Sequence, residues 1–333
     1  MSTPALATPE ARAAPAVLVE DLTKRYADFD ALAGLSFEVP YGEIFGFVGP
    51  NGAGKTTTLR ILATLLEPTS GRALIDGVEV TGDPYAARDH MGYMPDFFGV
   101  YDRLTAAEYL AFYARCYEIP HSRIGRVVSN LLELVRLGDR GDSAVDTLSR
   151  GMKQRLCLAR ALVHDPKVLL LDEPASGLDP LARVELRELL KELREMGKTI
   201  LISSHILPEL TELCTSFGII HGGRMLASGP LETLQSAVGA RRVRVRAGGE
   251  LAAVASFAEN LPDVTGVRVE GDVVEITHAG PQVGSNGSPD AGDVDATELL
   301  LRSLIAGGVR VRSFTPVEED LETAFLRVMG DGS

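Results

Sequence analysis

The segment Gly49–Thr56, GPNGAGKT, constrains the fold of this chain more tightly than any other. It fits the pattern GxxxxGK[ST], whose glycines let the backbone wrap around a phosphate with its N–H groups pointing inward. In this pattern the lysine, here Lys55, reaches the outer phosphates, and the hydroxyl of Thr56 ligates magnesium. The loop needs a strand before it and a helix after it. Glu43–Val48 is typical of a buried strand and Thr56–Leu66 of a helix, so the sequence predicts a phosphate-binding loop.

A second segment brings an anion site and a carboxylate pair into one stretch of chain. Ser149 and Gly151 open a predicted helix, and a helix N-terminus offers free N–H groups to an anion. The chain then continues to a predicted buried strand, Val168–Leu171, which ends in Asp172 and Glu173. Carboxylates at the end of such a strand are placed to hold a metal ion and to activate water. Together with the phosphate-binding loop, this segment indicates nucleotide chemistry.

Composition limits the classes of function. The 333 residues are 45% hydrophobic, which leaves room for about two domains with substantial cores. The net charge of -13 argues against a surface that wraps nucleic acid, so no nucleic-acid partner is expected. No apolar run approaches the length of a membrane span. Residues 1–15 are rich in Ala and Pro and are predicted to form a flexible tail that is not a signal peptide.

Residues 16–235 are predicted to form one domain that contains a helical subdomain at about 96–163. Within the subdomain, the segment Thr105–Glu108 is a capping box that starts a helix. An aromatic cluster at the entrance to the subdomain is interpreted either as core or as part of a docking surface: Phe97, Phe98 and Tyr101.

Two single residues have both a structural and a functional interpretation. His205 follows a predicted buried strand, Thr199–Ser203. A lone histidine is more often structural, but this one follows a strand at the sheet edge where ligands bind, which favours a functional role. Tyr26 lies well ahead of the phosphate-binding loop and either stacks on an adenine ring or is an ordinary surface or core tyrosine.

Residues 236–333 are predicted to form a small ferredoxin-like α+β domain. Its predicted strands and helices are Arg241–Val245, Leu251–Glu259, Val267–Ile276, Ala296–Ala306 and Val309–Phe314. The Gly-, Pro-, Ser- and Asp-rich segment 280–294 is predicted to be a mobile loop. Arg242, Arg244 and Arg246 share one strand face, which is interpreted as a solvated face in preference to a patch for anionic lipid.

From about Val17 to Leu234 the chain resembles the ATP-binding subunits of ABC transporters, with the family's motifs in the family's order. Gly49–Thr56 matches Walker A, and Leu148–Met152 resembles the ABC signature with Arg150 and Met152 in place of the commoner Gly and Gln. Walker B, the D-loop and the switch histidine are matched by Leu169–Asp172, Ser176–Asp179 and His205. The resemblance implies an α/β P-loop NTPase domain of the ABC type with a helical subdomain, followed by the α+β domain.

The resemblance also implies ATP and Mg²⁺ as cofactors and assigns roles to single residues. Glu173 is the expected catalytic base and His205 the residue that contacts the γ-phosphate. The expected nucleotide-binding residues are Tyr26, Gly49, Pro50, Asn51, Gly52, Ala53, Gly54, Lys55, Thr56, Thr57, Ser149, Gly151 and Asp179. The expected magnesium ligands are Thr56, Asp96 and Asp172.

As expected partners, the resemblance implies a second copy of this chain, or a homologous subunit, and separate transmembrane permease subunits. In the family, two such subunits pair head to tail, so that Ser149 and Gly151 of one close over the ATP of the other. The segment Asp320–Met329 resembles a C-terminal extension of subunits that work with ABC-2 type permeases. An ATPase that powers transport, by family analogy export, from the inner face of the cell membrane is therefore expected.

Asp96 departs from the family pattern, which has Gln at this position. Aspartate can bind magnesium, directly or through water, but its charge also opposes the phosphates. ATP hydrolysis with an altered magnesium dependence is expected. Two alternatives stay open: a non-transport ABC ATPase acting on ribosomes or DNA, and a regulatory ATP-binding module with low turnover.

Overall fold

The computed structural model describes residues 14–96, 99, 103–231, 241–261, 264–278 and 296–317. The chain divides into two compact units, Met1–Pro230 and Leu231–Ser333. Several expectations concern segments outside the described residues: the tail up to residue 13, the aromatic cluster Phe97, Phe98 and Tyr101, the loop 280–294 and the segment Asp320–Met329. Among the residues that are described, no helix combines the length and the apolar character needed to cross a bilayer.

The first unit alternates strands and helices along the chain. Its strands are β1 (Val17–Tyr26), β2 (Phe29–Val39), β3 (Ile44–Val48), β4 (Ser70–Ile75), β5 (Val78–Glu79), β6 (Met91–Met94), β7 (Val168–Asp172), β8 (Thr199–Ser204), β9 (Ser216–His221) and β10 (Arg224–Gly229). Its α-helices are α1 (Lys55–Leu62), α2 (Pro84–His90), α3 (Ala106–Cys116), α4 (His121–Leu134), α5 (Arg150–Ala161), α6 (Pro180–Glu195) and α7 (Leu207–Thr211). Short 3-10 turns occur at Gly138–Arg140 and Val145–Thr147.

The central sheet of the first unit has the strand order β10-β9-β3-β8-β7-β6. The pairs from β9 to β6 are parallel, and β10 is antiparallel to β9. All residues of β3, β7 and β8 are buried, as their continuous apolar sequences predict for inner strands of a parallel sheet. Because parallel strands end at one edge, the residues that follow β3, β6, β7 and β8 lie near one another.

A second sheet, in the order β2-β1-β4-β5, packs against the central one. The contact includes three aromatic rings, since Phe37 of β2 stacks on Phe45 at 5.5 Å and on Phe47 at 5.4 Å between ring centroids. Burying such rings stabilises the interface through apolar area and ring geometry. The two sheets and α1 share one hydrophobic core.

Helices α1 and α3 begin close to where the sequence predicts, but α1 is shorter than predicted. The capping box is present, because the Thr105 side chain accepts from the Glu108 N–H and the Glu108 side chain accepts from the Thr105 N–H. Helix α1 was expected to reach Leu66 but ends at Leu62. Thr64 has a φ of 59°, and the left-handed region stops an α-helix, which explains the early end.

The second unit consists of β11 (Arg241–Gly248), α8 (Leu251–Glu259), β12 (Val264–Glu270), β13 (Val273–His278), α9 (Ala296–Ala306) and β14 (Arg310–Val317). The order β-α-β-β-α-β is that of ferredoxin-like domains, and the antiparallel sheet has the order β12-β13-β11-β14. The run Val267–Ile276, expected as one strand, is instead a hairpin. It turns at Gly271, whose φ is 59°.

Glu275 lies on the sheet face of this unit that carries the arginines. Arg242 Nη1 and Arg244 Nε donate to its two carboxylate oxygens at 3.0 and 3.3 Å. The hydrogen bond from Arg242, helped by Arg244, lowers the pKa of the Glu275 carboxyl. Arg246 forms a more exposed ion pair with Asp272 at 3.2 Å. The face on which the sequence places three arginines is therefore partly neutralised by carboxylates.

Candidate nucleotide site

A cleft of about 400 Å³ opens at the carboxyl edge of the central sheet. Eleven of the residues singled out from the sequence line it: Tyr26, Pro50, Asn51, Gly52, Gly54, Lys55, Thr56, Thr57, Asp96, Glu173 and His205. They come from the ends of four parallel strands and from the β1–β2 hairpin, so residues far apart in sequence meet in one place.

The other candidate residues do not line this cleft. Gly49 and Ala53 belong to the phosphate-binding loop but do not line the cleft, and Ala53 and Asp172 are buried. A Cβ on Gly49 would lie 2.4 Å from the carbonyl oxygen of Ile220, so only glycine fits there. Ser149, Gly151 and Asp179 lie outside the lining of the cleft.

The phosphate-binding loop ends at Gly54, the N-cap of α1. Gly54 has a φ of 110°, and a Cβ on it would lie 2.7 Å from the carbonyl oxygen of Ala31. This backbone conformation is open to glycine and lets the loop turn sharply into the helix. The first N–H groups of α1 and its positive dipole end are thereby directed at the cleft, as a site for phosphate requires.

Lys55 carries its positive charge at the base of the cleft. The residue is only 6% exposed. Its Nζ donates to the carbonyl oxygens of Gly49 at 2.7 Å and Pro50 at 3.3 Å, and it lies 3.4 Å from Oε1 of Glu173. A buried ammonium held by neutral carbonyls and one carboxylate keeps a strong attraction for phosphate oxygens.

Asp172, the last residue of β7, is bound by two hydroxyl groups. Ser203 Oγ donates to Asp172 Oδ1 at 2.8 Å, and Thr56 Oγ1 donates to the same oxygen at 3.2 Å. Burial raises the pKa of the Asp172 carboxyl against the effect of these hydrogen bonds, and the nearby charges of Glu173 and Asp96 raise it further. A cation bound to the Asp172 carboxylate would favour its ionised form and so oppose the effect of burial on its pKa.

Ser203 is a residue of the site for which the sequence predicts no role. Besides its bond to Asp172, its Oγ accepts from the N–H of Glu173 at 3.0 Å. One hydroxyl therefore joins both carboxylate residues to β8. Ser203 is the register partner of Asp172, a position that follows only from the parallel pairing of β7 with β8.

Glu173 adopts a backbone conformation that is uncommon for a residue with a side chain. Its φ is 48°, and the left-handed region costs on the order of 1 kcal/mol for a non-glycine residue. Its two carboxylate oxygens have different neighbours: Oε1 lies 3.4 Å from Lys55 Nζ and Oε2 lies 2.8 Å from His205 Nδ1. A carboxylate fixed in this way at a cleft wall can accept a proton from an attacking water.

The oxygen ligands present suit Mg²⁺. Thr56 Oγ1 and Asp172 Oδ1 lie 3.2 Å apart, and Asp96 lines the same cleft. Magnesium in nucleotide sites is bound by one or two protein oxygens, with substrate phosphates and waters as the other ligands. Within the described part of the chain there is no group of three His, Cys, Asp or Glu side chains arranged to hold a metal.

Two aromatic side chains form the outer wall of the cleft. Tyr26 is 44% exposed and Phe29 is 59% exposed, and they are direct partners across the β1–β2 hairpin. Lys24 Nζ lies 5.2 Å from the centroid of the Tyr26 ring. Exposed rings next to a phosphate site can stack on a base. Phe29 was not singled out from the sequence, although its spacing from Tyr26 across a tight turn is a usable signal.

Ser149 and Asp179 are each the N-cap of a helix. Ser149 Oγ accepts from the Met152 N–H at 3.3 Å at the start of α5, and Asp179 Oδ1 accepts from the Ala182 N–H at 2.9 Å at the start of α6. Capping alone is a sufficient structural role for both residues. Further backbone N–H groups of the first turn of α5, including that of Gly151, have no acceptor within the helix.

Comparisons with known proteins find similar sequences and similar folds. The family model described as ABC transporter matches residues 32–176. The chain is 37% identical over 327 residues to "Nod factor export ATP-binding protein I" of Rhizobium meliloti (strain 1021), which covers 97% of this chain and 91% of that protein. It is 39% identical over 217 residues to "Probable multidrug ABC transporter ATP-binding protein YbhF" of Escherichia coli (strain K12), covering 65% of this chain but 37% of that protein.

A solved structure, "Structure of ATP binding subunit of ABC transporter", is also similar. It has a TM-score of 0.60 and 35% sequence identity, and the match covers 66% of this chain and 91% of that one. The share of this chain that matches in fold is about as large as the share that the first unit occupies.

Proposed function

The chain belongs to the family of ABC transporter ATP-binding subunits, and on that premise we propose that it powers an exporter through ATP-driven closure of a dimer. As a member of the family it binds and hydrolyses ATP and works with transmembrane permease components. We propose three further points: the direction of transport, the residues that act on ATP and the arrangement of the dimer.

ATP binding is assigned to the cleft at the carboxyl edge of the central sheet. The triphosphate lies against the loop Gly49–Thr57, where N–H groups, the dipole of α1 and Lys55 attract its charge. Tyr26 stacks on the adenine ring. When bound, Mg²⁺ neutralises phosphate charge and orients the phosphoryl group, and Thr56, Asp172 and Asp96 are the protein groups assigned to it.

Hydrolysis is assigned to Glu173 with His205. Glu173 accepts the proton of the attacking water, and His205 holds the carboxylate in place and contacts the terminal phosphate. The observation that carries this proposal is the continuous set of contacts Thr56–Asp172–Ser203–Glu173–His205, which links the cation ligands to the base through bonds of 2.8 to 3.2 Å. Such fixed positioning is the main device of phosphoryl-transfer catalysis.

A second copy of this chain, or a homologous subunit, supplies the missing wall of each cleft. Ser149 and Gly151 lie outside the cleft of their own chain, and the helix start that they form is suited to an anion. In a head-to-tail pair, this helix start closes over the ATP of the partner. ATP then favours the closed dimer because it contacts both subunits only in that state.

Two separate permease subunits carry the substrate, and the ATPase dimer lies on the inner face of the cell membrane against them. Export is favoured by the printed names of the relatives, one of which refers to Nod factor export and another to a multidrug transporter. These names concern different compounds, which is the reason to assign substrate choice to the permease and none to this chain.

The test is ATPase activity together with partner capture from native membranes. The wild-type chain should hydrolyse ATP in the presence of Mg²⁺ and should co-purify with a multi-span membrane protein. The variant Lys55→Ala should lose nucleotide binding. If the wild-type chain binds ATP but does not hydrolyse it, the result would instead support a regulatory ATP-binding module, for which Asp96 in the cleft is the motive. Co-purification with ribosomes or DNA would support a non-transport ATPase.

A further inference from the structure

Helix α5 contacts the turn that follows Glu173 at two points. Gln154, which is 3% exposed, donates from Nε2 to the carbonyl oxygen of Pro174 at 2.7 Å. Arg150, four residues earlier and therefore on the same side of the helix, donates from Nη2 to the carbonyl oxygen of Ser176 at 2.9 Å. The first turns of α5 thus hold the backbone one and three residues beyond Glu173.

The contact made by Arg150 is steric as well as polar. A Cβ built on Gly177 would lie 2.5 Å from Cζ of Arg150 and within 2.8 Å of both terminal nitrogens. The guanidinium plane therefore packs directly over the Cα of Gly177, whose φ of 65° already favours glycine. A planar group with several donors can make this contact, whereas glycine at position 150, the commoner residue of the motif that this segment resembles, cannot.

Arg150 lies between the helix start that faces the partner's ATP and the loop that lines the cleft of its own chain. Arg150 lies between Ser149 and Gly151, which we assigned to the ATP of the partner subunit. Its anchor, Ser176, lines the cleft of its own chain together with Glu173. A displacement of the α5 helix start towards the partner's nucleotide therefore pulls on the backbone next to the catalytic carboxylate of its own cleft.

We propose that Arg150 is a positioning residue that couples the two ATP sites of the dimer by linking the start of α5 to the Ser176–Asp179 loop. Gln154 fixes the loop at Pro174, and Arg150 determines where Ser176 and Gly177 lie. The proposal rests on the proposed function, because it requires α5 to serve a second copy. ATP bound in one cleft then brings Glu173 of the other subunit into position, so hydrolysis is cooperative in ATP.

The test compares Arg150→Gln and Arg150→Lys with wild type in steady-state ATPase assays over a range of ATP concentrations. Arg150→Gln should lower kcat about three- to tenfold and bring the Hill coefficient to about 1, with the ATP concentration for half-maximal rate nearly unchanged. Arg150→Lys should lie between the two, because lysine keeps a donor but cannot cover Gly177. Arg126→Gln, an exposed arginine on another helix, is the matched control and should behave as wild type.

A double-mutant cycle with Gly177→Ala separates this role from a general loss of structure. In wild type the new methyl group displaces the flexible guanidinium from its place over Gly177, whereas in Arg150→Gln only the backbone strain remains. Gly177→Ala should therefore reduce kcat by a smaller factor in the Arg150→Gln background than in wild type. Equal factors in both backgrounds, or an unchanged kcat and Hill coefficient in Arg150→Gln, would overturn the coupling role. Absence of hydrolysis by wild type itself would instead overturn the proposed function and with it this inference.

Discussion

Nδ1 of His205 lies 2.8 Å from Oε2 of Glu173, so the residue after β8 directly contacts the residue after β7. The contact orients a carboxylate whose backbone, with a φ of 48°, is itself strained. Strain of this kind persists where surrounding contacts hold it, and here Ser203 and His205 provide them. The two neighbouring strands therefore position the proposed base as a pair.

His205→Ala should lower kcat about a hundredfold with little change in the KM for ATP. The reason is that the side chain acts on the carboxylate and the terminal phosphate rather than on the loop that binds the nucleotide. Steady-state ATPase assays measure both constants. His121→Ala, an exposed histidine at the start of α4, serves as the control. A His205→Ala enzyme within twofold of wild type would contradict this role.

Ser203→Ala should reduce both stability and activity. The substitution removes the donor to Asp172 and leaves the N–H of Glu173 without its acceptor, at a cost of about 1–3 kcal/mol in the free energy of unfolding. Urea unfolding of the chain measures this cost. Ser129→Ala, on the exposed side of α4, should change it by less than about 0.5 kcal/mol. Equal effects of the two substitutions would mean that the Ser203 hydroxyl holds neither residue.

Asp96 should set the magnesium dependence of hydrolysis. Its carboxylate lies close enough to Asp172 to affect its ionisation, and it adds negative charge beside the proposed cation ligands. Asp96→Gln and Asp96→Ala should therefore raise the Mg²⁺ concentration for half-maximal rate, on the order of threefold. ATPase titrations with Mg²⁺ at saturating ATP measure the shift. If wild type were inactive while Asp96→Gln hydrolysed ATP, the native site would be impaired and our interpretation wrong.

Glu275 should contribute to the stability of the second unit in a way that is lost at acid pH. Because Arg242 and Arg244 lower the pKa of Glu275 in the folded state, its stabilising effect is complete above the unfolded-state pKa of about 4.3. It is lost as the pH falls through the lower folded-state pKa. Glu275→Gln should therefore destabilise β11 and β13 by about 1–2 kcal/mol at pH 7 and by much less once the pH has fallen below the folded-state pKa.

Hydrogen exchange of the β11 and β13 amides is the suitable measurement, since it reports on this unit alone. Asp272→Asn is the matched control, because the Asp272 side chain is 76% exposed and its ion pair with Arg246 contributes little. A Glu275→Gln effect that is as large at low pH as at pH 7 would show that packing, rather than charge, is what the side chain contributes.

Features encoded in contiguous sequence could be predicted, and features that depend on the approach of distant segments could not. The loop Gly49–Thr56 and the capping box at Thr105 have fixed local spacing, and both are present as predicted. The bounds of α8 and α9 were also correct. The predicted end of α1 was wrong, because the apolar pattern does not indicate that a single residue, Thr64, adopts a left-handed conformation.

The contacts of Ser203 and Arg150 depend on the approach of distant segments and could not be predicted. Ser203 meets Asp172 only because β7 and β8 pair in one particular register. Arg150 meets Ser176 across 26 residues, a separation that helical periodicity says nothing about. The hairpin at Gly271 was missed for a related reason, since alternation continues through the turn and resembles one long strand.

The most direct test of the account is the mass of the Glu173→Gln variant in solution with and without ATP. Removing the proposed base while keeping its shape should block hydrolysis and trap two ATP molecules between two chains. Sedimentation should therefore give a monomer without ATP and a dimer with it, and adding Ser149→Glu should restore the monomer by opposing the partner's phosphates. A variant that still hydrolyses ATP, or a dimer that forms regardless of ATP and of Ser149, would contradict the central claim.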